Sequence, residues 1–182
     1  MVGGISPVVL RAYRREVDAR ATHAVYRSAI IRTASADYQP DQIAAWAGPE
    51  DADLIQWDAR RLAAHTFVAE AAGRVAGFAD FLDDGLVDML FVHPDFGRRG
   101  IARQLVDTVK REAARAGLSA LRTHASRTAR PAFEQFGFRV VAARPDNKVG
   151  GQTVPNYDMR CDVLLGVPDS QHGSSRYQPR SR

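Results

Sequence analysis

One short stretch carries most of the chemistry that residue type and spacing can reveal: Val92-His93-Pro94-Asp95-Phe96-Gly97-Arg98-Arg99-Gly100-Ile101-Ala102. It lies between a strand pattern and the strongest helix pattern of the chain. The first N–H groups of a helix have no partner inside the helix, and the aligned peptide dipoles add partial positive charge there. Such a junction is an anion site. Gly100 lets the backbone approach a phosphate closely, and Ala102 keeps the next turn small. Arg98, Arg99 and Arg103 can add charge-assisted hydrogen bonds. The loop does not end in Gly-Lys-Ser/Thr, and its glycines are not spaced as G-x-G-x-x-G, so neither common nucleotide-binding loop fits. Taken alone, it is equally an ordinary basic strand-to-helix turn.

The elements that must position this loop alternate between strand and helix. Val8 to Tyr13 reads as a first strand. Asp18 to about Thr33 reads as a helix, with Ala21, Ala24, Val25 and Ile31 near one face. A short helix begins at Pro40, where a missing N–H costs little, and ends at Gly48-Pro49. Asp51 to Ala64 is helical. Thr66–Glu70, Val75–Phe81 and Leu86–Val92 form a three-stranded meander with turns at Ala71–Arg74 and Asp83-Asp84-Gly85. In Ile101 to Ala116 the apolar residues Ile101, Leu105, Val109 and Ala113 fall four apart, with Val106 beside them, and Gly117 stands at the cap position. A strand from Leu118 to Ala125 follows. A helix then runs to Phe136; Pro131 fits only its first turn, which favours Thr128 as the cap. Strands Arg139–Ala143 and Thr153–Cys161 close the pattern. The expected class is α+β, close to α/β, with a mixed sheet flanked by helices.

The 182 residues, 45% of them hydrophobic, suit one domain with a sizeable core. No run approaches the roughly 18 apolar residues of a membrane span, and the start shows no secretory signal. A soluble cytoplasmic protein is expected. The lone Cys161 excludes an internal disulfide and a cysteine-rich metal site; no metal is expected. The net charge of +4 is spread along the chain among 21 acids. That argues against nucleic acid as a partner, which would want basic residues gathered on one face, but it allows a local site for an anionic small ligand such as coenzyme A. Residues from Gly166 onward are polar and rich in Gly, Ser and Pro, and read as a disordered tail behind a domain of residues 1–165.

The loop resembles motif A of the GCN5-related N-acetyltransferase family, R/Q-x-x-G-x-G/A, with Gly97 where Arg or Gln is usual and Ala102 at the last small position. Ser126-Arg127-Thr128-Ala129-Arg130-Pro131-Ala132-Phe133-Glu134-Gln135-Phe136-Gly137-Phe138 resembles motif B, N-x-x-A-x-x-x-Y-x-x-x-G-F, with Ser126 for Asn and Phe133 for Tyr. Asp37-Tyr38, Gln42 to Trp46, Asp88 to Pro94 and Asn156 to Met159 resemble a bacterial branch of acetyltransferases. The resemblance implies a splayed mixed sheet of six or seven strands with acetyl-CoA in the splay. Leu90, Phe91 and Val92 would offer strand backbone to the pantetheine arm. Residues Arg98, Arg99, Gly100, Ile101, Ala102 and Arg103 would hold the pyrophosphate, and Ser126 and Phe133 would flank the thiol end.

The activity so implied is acetyl transfer to an amine. The tryptophan-bearing helices suggest an enclosed cleft, and with it a small-molecule acceptor; a monomer or homodimer is expected. An alkyl amine arrives mostly protonated, with a pKa near ~10.4, so a base must take its proton. Asp88 is the first candidate and His124 the second. The family's usual acid, the motif B Tyr, is replaced by Phe133, which leaves Tyr157 as a candidate donor. Tyr38, Trp46, Trp57 and His65 could wall an acceptor cleft, and Asp80, with Asp83 and Asp84, could attract a cationic amine. A non-catalytic acyl-CoA-binding or partner-binding module, and a protein N-acetyltransferase, are the competing readings.

Overall fold

The computed structural model describes residues 7–163; the expected tail from Gly166 lies outside them. In chain order the elements are β1 (Val8–Ala12), α1 (Ala19–Arg32), α2 (Pro40–Ala47), α3 (Leu54–Ala63), β2 (His65–Ala71), β3 (Arg74–Phe81), β4 (Leu86–Val87), β5 (Met89–Val92), α4 (Ile101–Arg115), β6 (Ala120–Ser126), α5 (Arg130–Gln135), β7 (Arg139–Arg144), β8 (Lys148–Val149), β9 (Gln152–Thr153) and β10 (Asn156–Asp162). The α+β class expected from the sequence is what forms.

Strands β1-β2-β3-β5 make one antiparallel sheet, and β4-β6-β10-β7 make a second in which only β4 and β6 run parallel. The run from Leu86 to Val92, expected as one strand, is divided between the two sheets at Asp88. Two side chains divide it. Thr123 donates its hydroxyl to the Val87 carbonyl at 2.9 Å, which ties β4 to β6. The Asp80 carboxylate accepts the Met89 N–H at 3.0 Å, which ties β5 to β3. Beyond Asp88 the sheets diverge, and a gap opens between β5 and β6. The strand expected over Thr153–Cys161 is likewise interrupted. Pro155 has no N–H for a ladder, and the Val154 N–H bonds to the Asn147 carbonyl at 2.8 Å.

Helix α4 covers one face of the first sheet, and α5 packs on the second. The apolar stripe of α4, Ile101, Leu105, Val106, Val109 and Ala113, is buried in the main core with Val87, Leu121, Ala125 and Phe133. Burying each large side chain is worth about 1.5–3 kcal/mol. Helices α1 and α3 cover the other face of the first sheet, where Val25, Val68 and Phe78 form a separate cluster, and α2 packs on α1 and on β8 and β9. Asp53 caps α3, accepting N–H bonds from Ile55 at 2.9 Å and Gln56 at 3.1 Å, so the helix starts later than Asp51. Gln39 and Gln42 box the start of α2 with Pro40 in its first turn. A β-carbon at Gly77 would stand 2.8 Å from the Phe91 carbonyl oxygen, so glycine is what lets β5 lie this close to β3.

Candidate functional site

Alternation along β5 sets the chemistry of the gap. The Met89 N–H goes to Asp80 and the His93 N–H to the Ala76 carbonyl, at 2.8 Å, so the odd-numbered residues bond toward β3. The N–H and C=O groups of Leu90 and Val92 therefore turn into the gap, where no strand pairs with them. An extended ligand bearing amide groups can complete that edge.

The basic loop stands where β5 ends. After a 3-10 turn at Pro94–Phe96, Arg98 and Gly100 adopt left-handed backbone, with φ of 60° and 74°. The first hydrogen bond of α4 is from Gln104 N–H to the Gly100 carbonyl, so the N–H groups of Ile101, Ala102 and Arg103 have no acceptor within the helix. Nothing lies within 4 Å of where a Gly100 β-carbon would be. Arg99 stacks on Phe96, and Arg103 lies over Phe136 and donates to the Gln135 carbonyl at 3.1 Å. The loop thus offers backbone donors at its centre and guanidinium groups around them. Ile101 is 1% exposed; its side chain is core, so only its backbone can face a ligand.

From this loop a groove of about 210 Å³ runs along the gap. Leu90, Phe91, Val92 and Ala102 form one wall, Ser126, Thr128, Ala129 and Ala132 the other, and Ala29, Ile30, Thr33, Ala34 and Trp46 the roof. Four bonds hold the roof down. The Tyr38 hydroxyl donates to the Pro155 carbonyl at 2.6 Å and accepts the Arg127 N–H at 2.9 Å, Gln42 donates to the Thr153 carbonyl at 2.6 Å, and Thr128 donates to Asp37 at 2.7 Å. Burial pushes the Tyr38 hydroxyl above its ordinary pKa, so it stays protonated in these bonds. A larger recess of about 690 Å³, on the outer side of α1 between Arg20, His23, Arg27 and Asp51, shares no lining residue with the groove.

The titratable candidates gather where the sheets converge. β4 and β6 pair Val87 with Thr123, which sets Asp88 and His124 on either side of the opening, one step beyond the last pairing. Asp88 has 42% of its side chain exposed and lies 3.4 Å from the Arg61 guanidinium. His124 is met at Nδ1 by Asp158, at 2.7 Å, and by Arg144, at 2.8 Å. One nitrogen cannot donate and accept at once. A proton on Nδ1 serves Asp158, which only accepts, and leaves the Nε2 lone pair free; Arg144 then falls to Asp158, 3.6 Å away.

Several expected site residues stand elsewhere. Asp80 is 0% exposed and bonded to the buried Arg61, so it cannot attract an amine. Burial pushes its carboxyl up to about 7, against the pull of Arg61 and the Met89 N–H. Phe133 is 3% exposed and packs edge-on against Phe136 and Phe138; Ala129 and Ala132 take the groove side of α5 instead. Thr128 does not cap that helix, and Ser126 accepts the Ala129 N–H at 3.0 Å. Tyr157 pairs with Ala125, on the α5 face of the second sheet, with Arg130 over its ring, whereas His124 and Asp158 share the open face. Trp57 packs on His23, Tyr26 and Phe78 and donates to Thr22 at 3.0 Å. His65 stacks on Phe81 and bonds Asp83 at 2.8 Å. Of the four aromatic wall residues, Trp46 lines the groove, and Tyr38 is a buried tie across its roof. Sequence reasoning missed Arg61, Asp158 and Arg144, because their importance comes from pairings across 19, 34 and 20 residues of chain.

Residues 34–161 match the family of the acetyltransferase (GNAT) domain. The chain is 36% identical over 119 residues to the uncharacterized N-acetyltransferase YafP of Escherichia coli strain K12, an overlap covering 65% of this chain and 73% of YafP. Among solved structures it resembles a GCN5-related N-acetyltransferase from Rhodopseudomonas palustris, with TM-score 0.81 and 29% identity over 87% of this chain and 98% of the other. It shares the fold of YncA from Salmonella typhimurium, solved with its cofactor acetyl-CoA, at TM-score 0.65 and 24% identity over 91% and 99% of the two chains. Among the described residues no helix is long and apolar enough to cross a membrane, and no group of three or more His, Cys, Asp or Glu is placed to hold a metal ion.

Proposed function

The chain belongs to the GNAT acetyltransferase family, and we propose that it moves the acetyl group of acetyl-CoA onto the amine of a small-molecule acceptor by direct attack in a ternary complex. The observation that carries this reading is the unpaired edge of Leu90 and Val92, facing a groove that ends at the free N–H groups of α4. Pyrophosphate at Arg98–Arg103 would set the direction of the arm, and its thioester would then lie at the convergent end of the gap, beside Leu90, Ser126, Asp88 and His124. A small acceptor suits the bonded roof, which closes the side between α2 and the second sheet and leaves the open face by Asp88 and His124 as the approach. In this reading Asp88 takes the amine proton. The Leu90 N–H, aimed into the gap, supplies a donor for the developing oxyanion.

Acetyl-CoA is expected to stabilise the protein. Ligand at 100 times its Kd adds about 2.7 kcal/mol, a rise in Tm of about 5–10 °C for a chain of this size. Gly100→Glu should abolish the rise, because it puts bulk and negative charge at the anion site and forces a side chain onto left-handed backbone. Thermal melts with and without millimolar acetyl-CoA measure both. No rise for acetyl-CoA or any other acyl-CoA in the unaltered protein would remove the cofactor assignment. The burial of Phe133, which puts no hydroxyl at the groove, favours a second reading as a non-catalytic acyl-CoA-binding module. A transfer assay with a panel of amines separates the two.

A further inference from the structure

We propose that Ser126 is the hydrogen-bond donor to the leaving sulfur, a role that rests on the acetyl-transfer reading above. The groove wall and roof carry few groups able to donate a proton: Thr33, Trp46, Ser126 and Thr128. Thr128 spends its proton on Asp37. Thr33 ends α1 beside Arg32, which is bonded to Asp95 of the basic loop at 2.9 Å, so it belongs to the phosphate end. Trp46 lies on the roof, on the α2 side against Tyr38. Tyr26 and Tyr38, the nearby phenols, donate to the Trp46 and Pro155 carbonyls.

Ser126 differs from all of these. It ends β6, two residues beyond His124, and continuing the Val87–Thr123 pairing places it across the gap from Leu90. Its oxygen already accepts the Ala129 N–H at 3.0 Å. That bond fixes the oxygen and leaves the hydroxyl hydrogen as the group free to turn into the groove.

The step balances as follows. The neutral amine nitrogen forms a bond to the thioester carbonyl carbon, and the C–S bond breaks with its electron pair left on sulfur. The amine proton goes to Asp88. The Ser126 O–H bonds to the thiolate as charge grows on it, and with a thiol pKa near ~8.5 the sulfur takes its proton from water afterwards. Ser126 keeps its own proton through the cycle.

A hydrogen bond to a charged group is worth about 1.5–3 kcal/mol, so Ser126→Ala should lower kcat about 10- to 100-fold while the Kd for CoA changes less than about threefold. Ser126→Thr keeps a hydroxyl and should recover most of the rate. Acetyl-seleno-CoA supplies the decisive arm, because a selenol is a far more acidic leaving group and needs little help. With it, the Ser126→Ala deficit should shrink to less than about threefold. A deficit equal for both donors, or Ser126→Thr as slow as Ser126→Ala, overturns the role; a matching loss of CoA affinity shows that Ser126 acts only as a cap. If the unaltered protein binds CoA but acetylates no amine, the transfer reading itself fails, a result distinct from any seen in the variants alone.

Discussion

Replacing Arg61 by alanine is expected to lower the stability of the fold by about 3–5 kcal/mol, the usual cost of leaving a buried charge without its partner. Arg61 and Asp80 have 4% and 0% of their side chains exposed, and they bond directly to each other. The guanidinium also lies over the Trp57 ring, with 5.1 Å to the centroid. Loss of Arg61 strands the Asp80 carboxylate between β3 and α3, where burial already disfavours its charge. In a chain of this size the penalty corresponds to a fall in Tm of about 6–20 °C. Pairing Arg61→Met with Asp80→Asn should recover a large part of it. That double variant removes both charges, fills the space of the arginine stem and keeps an oxygen that can accept the Met89 N–H. Urea unfolding of the wild type, both single variants and the double gives the coupling energy directly. A loss below about 1 kcal/mol for Arg61→Ala, or strict additivity in the double, would show that the pair does not hold the split between β4 and β5.

That pair also shows where reading the sequence stopped. Helix α4 and the basic loop were legible because each is a local property: a 3.6-residue apolar period, then glycines and arginines at its start. The α+β pattern and most element boundaries followed from similar local signals. The split at Asp88 was not legible. Leu86 to Val92 has the composition of a single strand, and what divides it is the Thr123 hydroxyl on one side and the Asp80 carboxylate on the other, groups 36 and 9 residues away. Asp80 was misread for the same reason. An acid near a turn reads as free to attract a cationic amine until the burial of Arg61 against it is known. The resemblance placed Phe133 at the thiol end, but its ring turns into the core and the alanines on either side of Arg130 and Pro131 face the groove. The basic loop at the start of α4 is therefore a sequence feature, and the convergent end of the gap, where Asp88 and His124 stand, is a feature of the packing.

At that end Asp88→Asn carries the other large expectation: kcat should fall about 10²- to 10⁴-fold, the range of a general base, with the affinity for acetyl-CoA nearly unchanged. The substitution preserves shape and removes the proton acceptor. Asp88 makes a single long contact, to Arg61, and half of its side chain meets solvent, so its loss should cost little stability, in contrast to Arg61 itself. The competing route runs through His124, whose Nε2 is left free when Nδ1 donates to Asp158. His124→Gln and Asp158→Asn test that route. If Asp88 is the base, these two should slow turnover less than about tenfold, and the rising limb of kcat/KM against pH should keep its position in both while it shifts or disappears in Asp88→Asn. If Asp88→Asn retains near-normal kcat and His124→Gln loses it, the proton leaves through β6 and β10. Asp158→Asn should then share much of the loss, because an imidazole without its carboxylate partner is no longer held with Nε2 facing the opening. A fall in all three variants by similar factors would mean that the two groups act in series across the mouth of the gap, and the pH profile of the double variant Asp88→Asn/His124→Gln should then match that of either single.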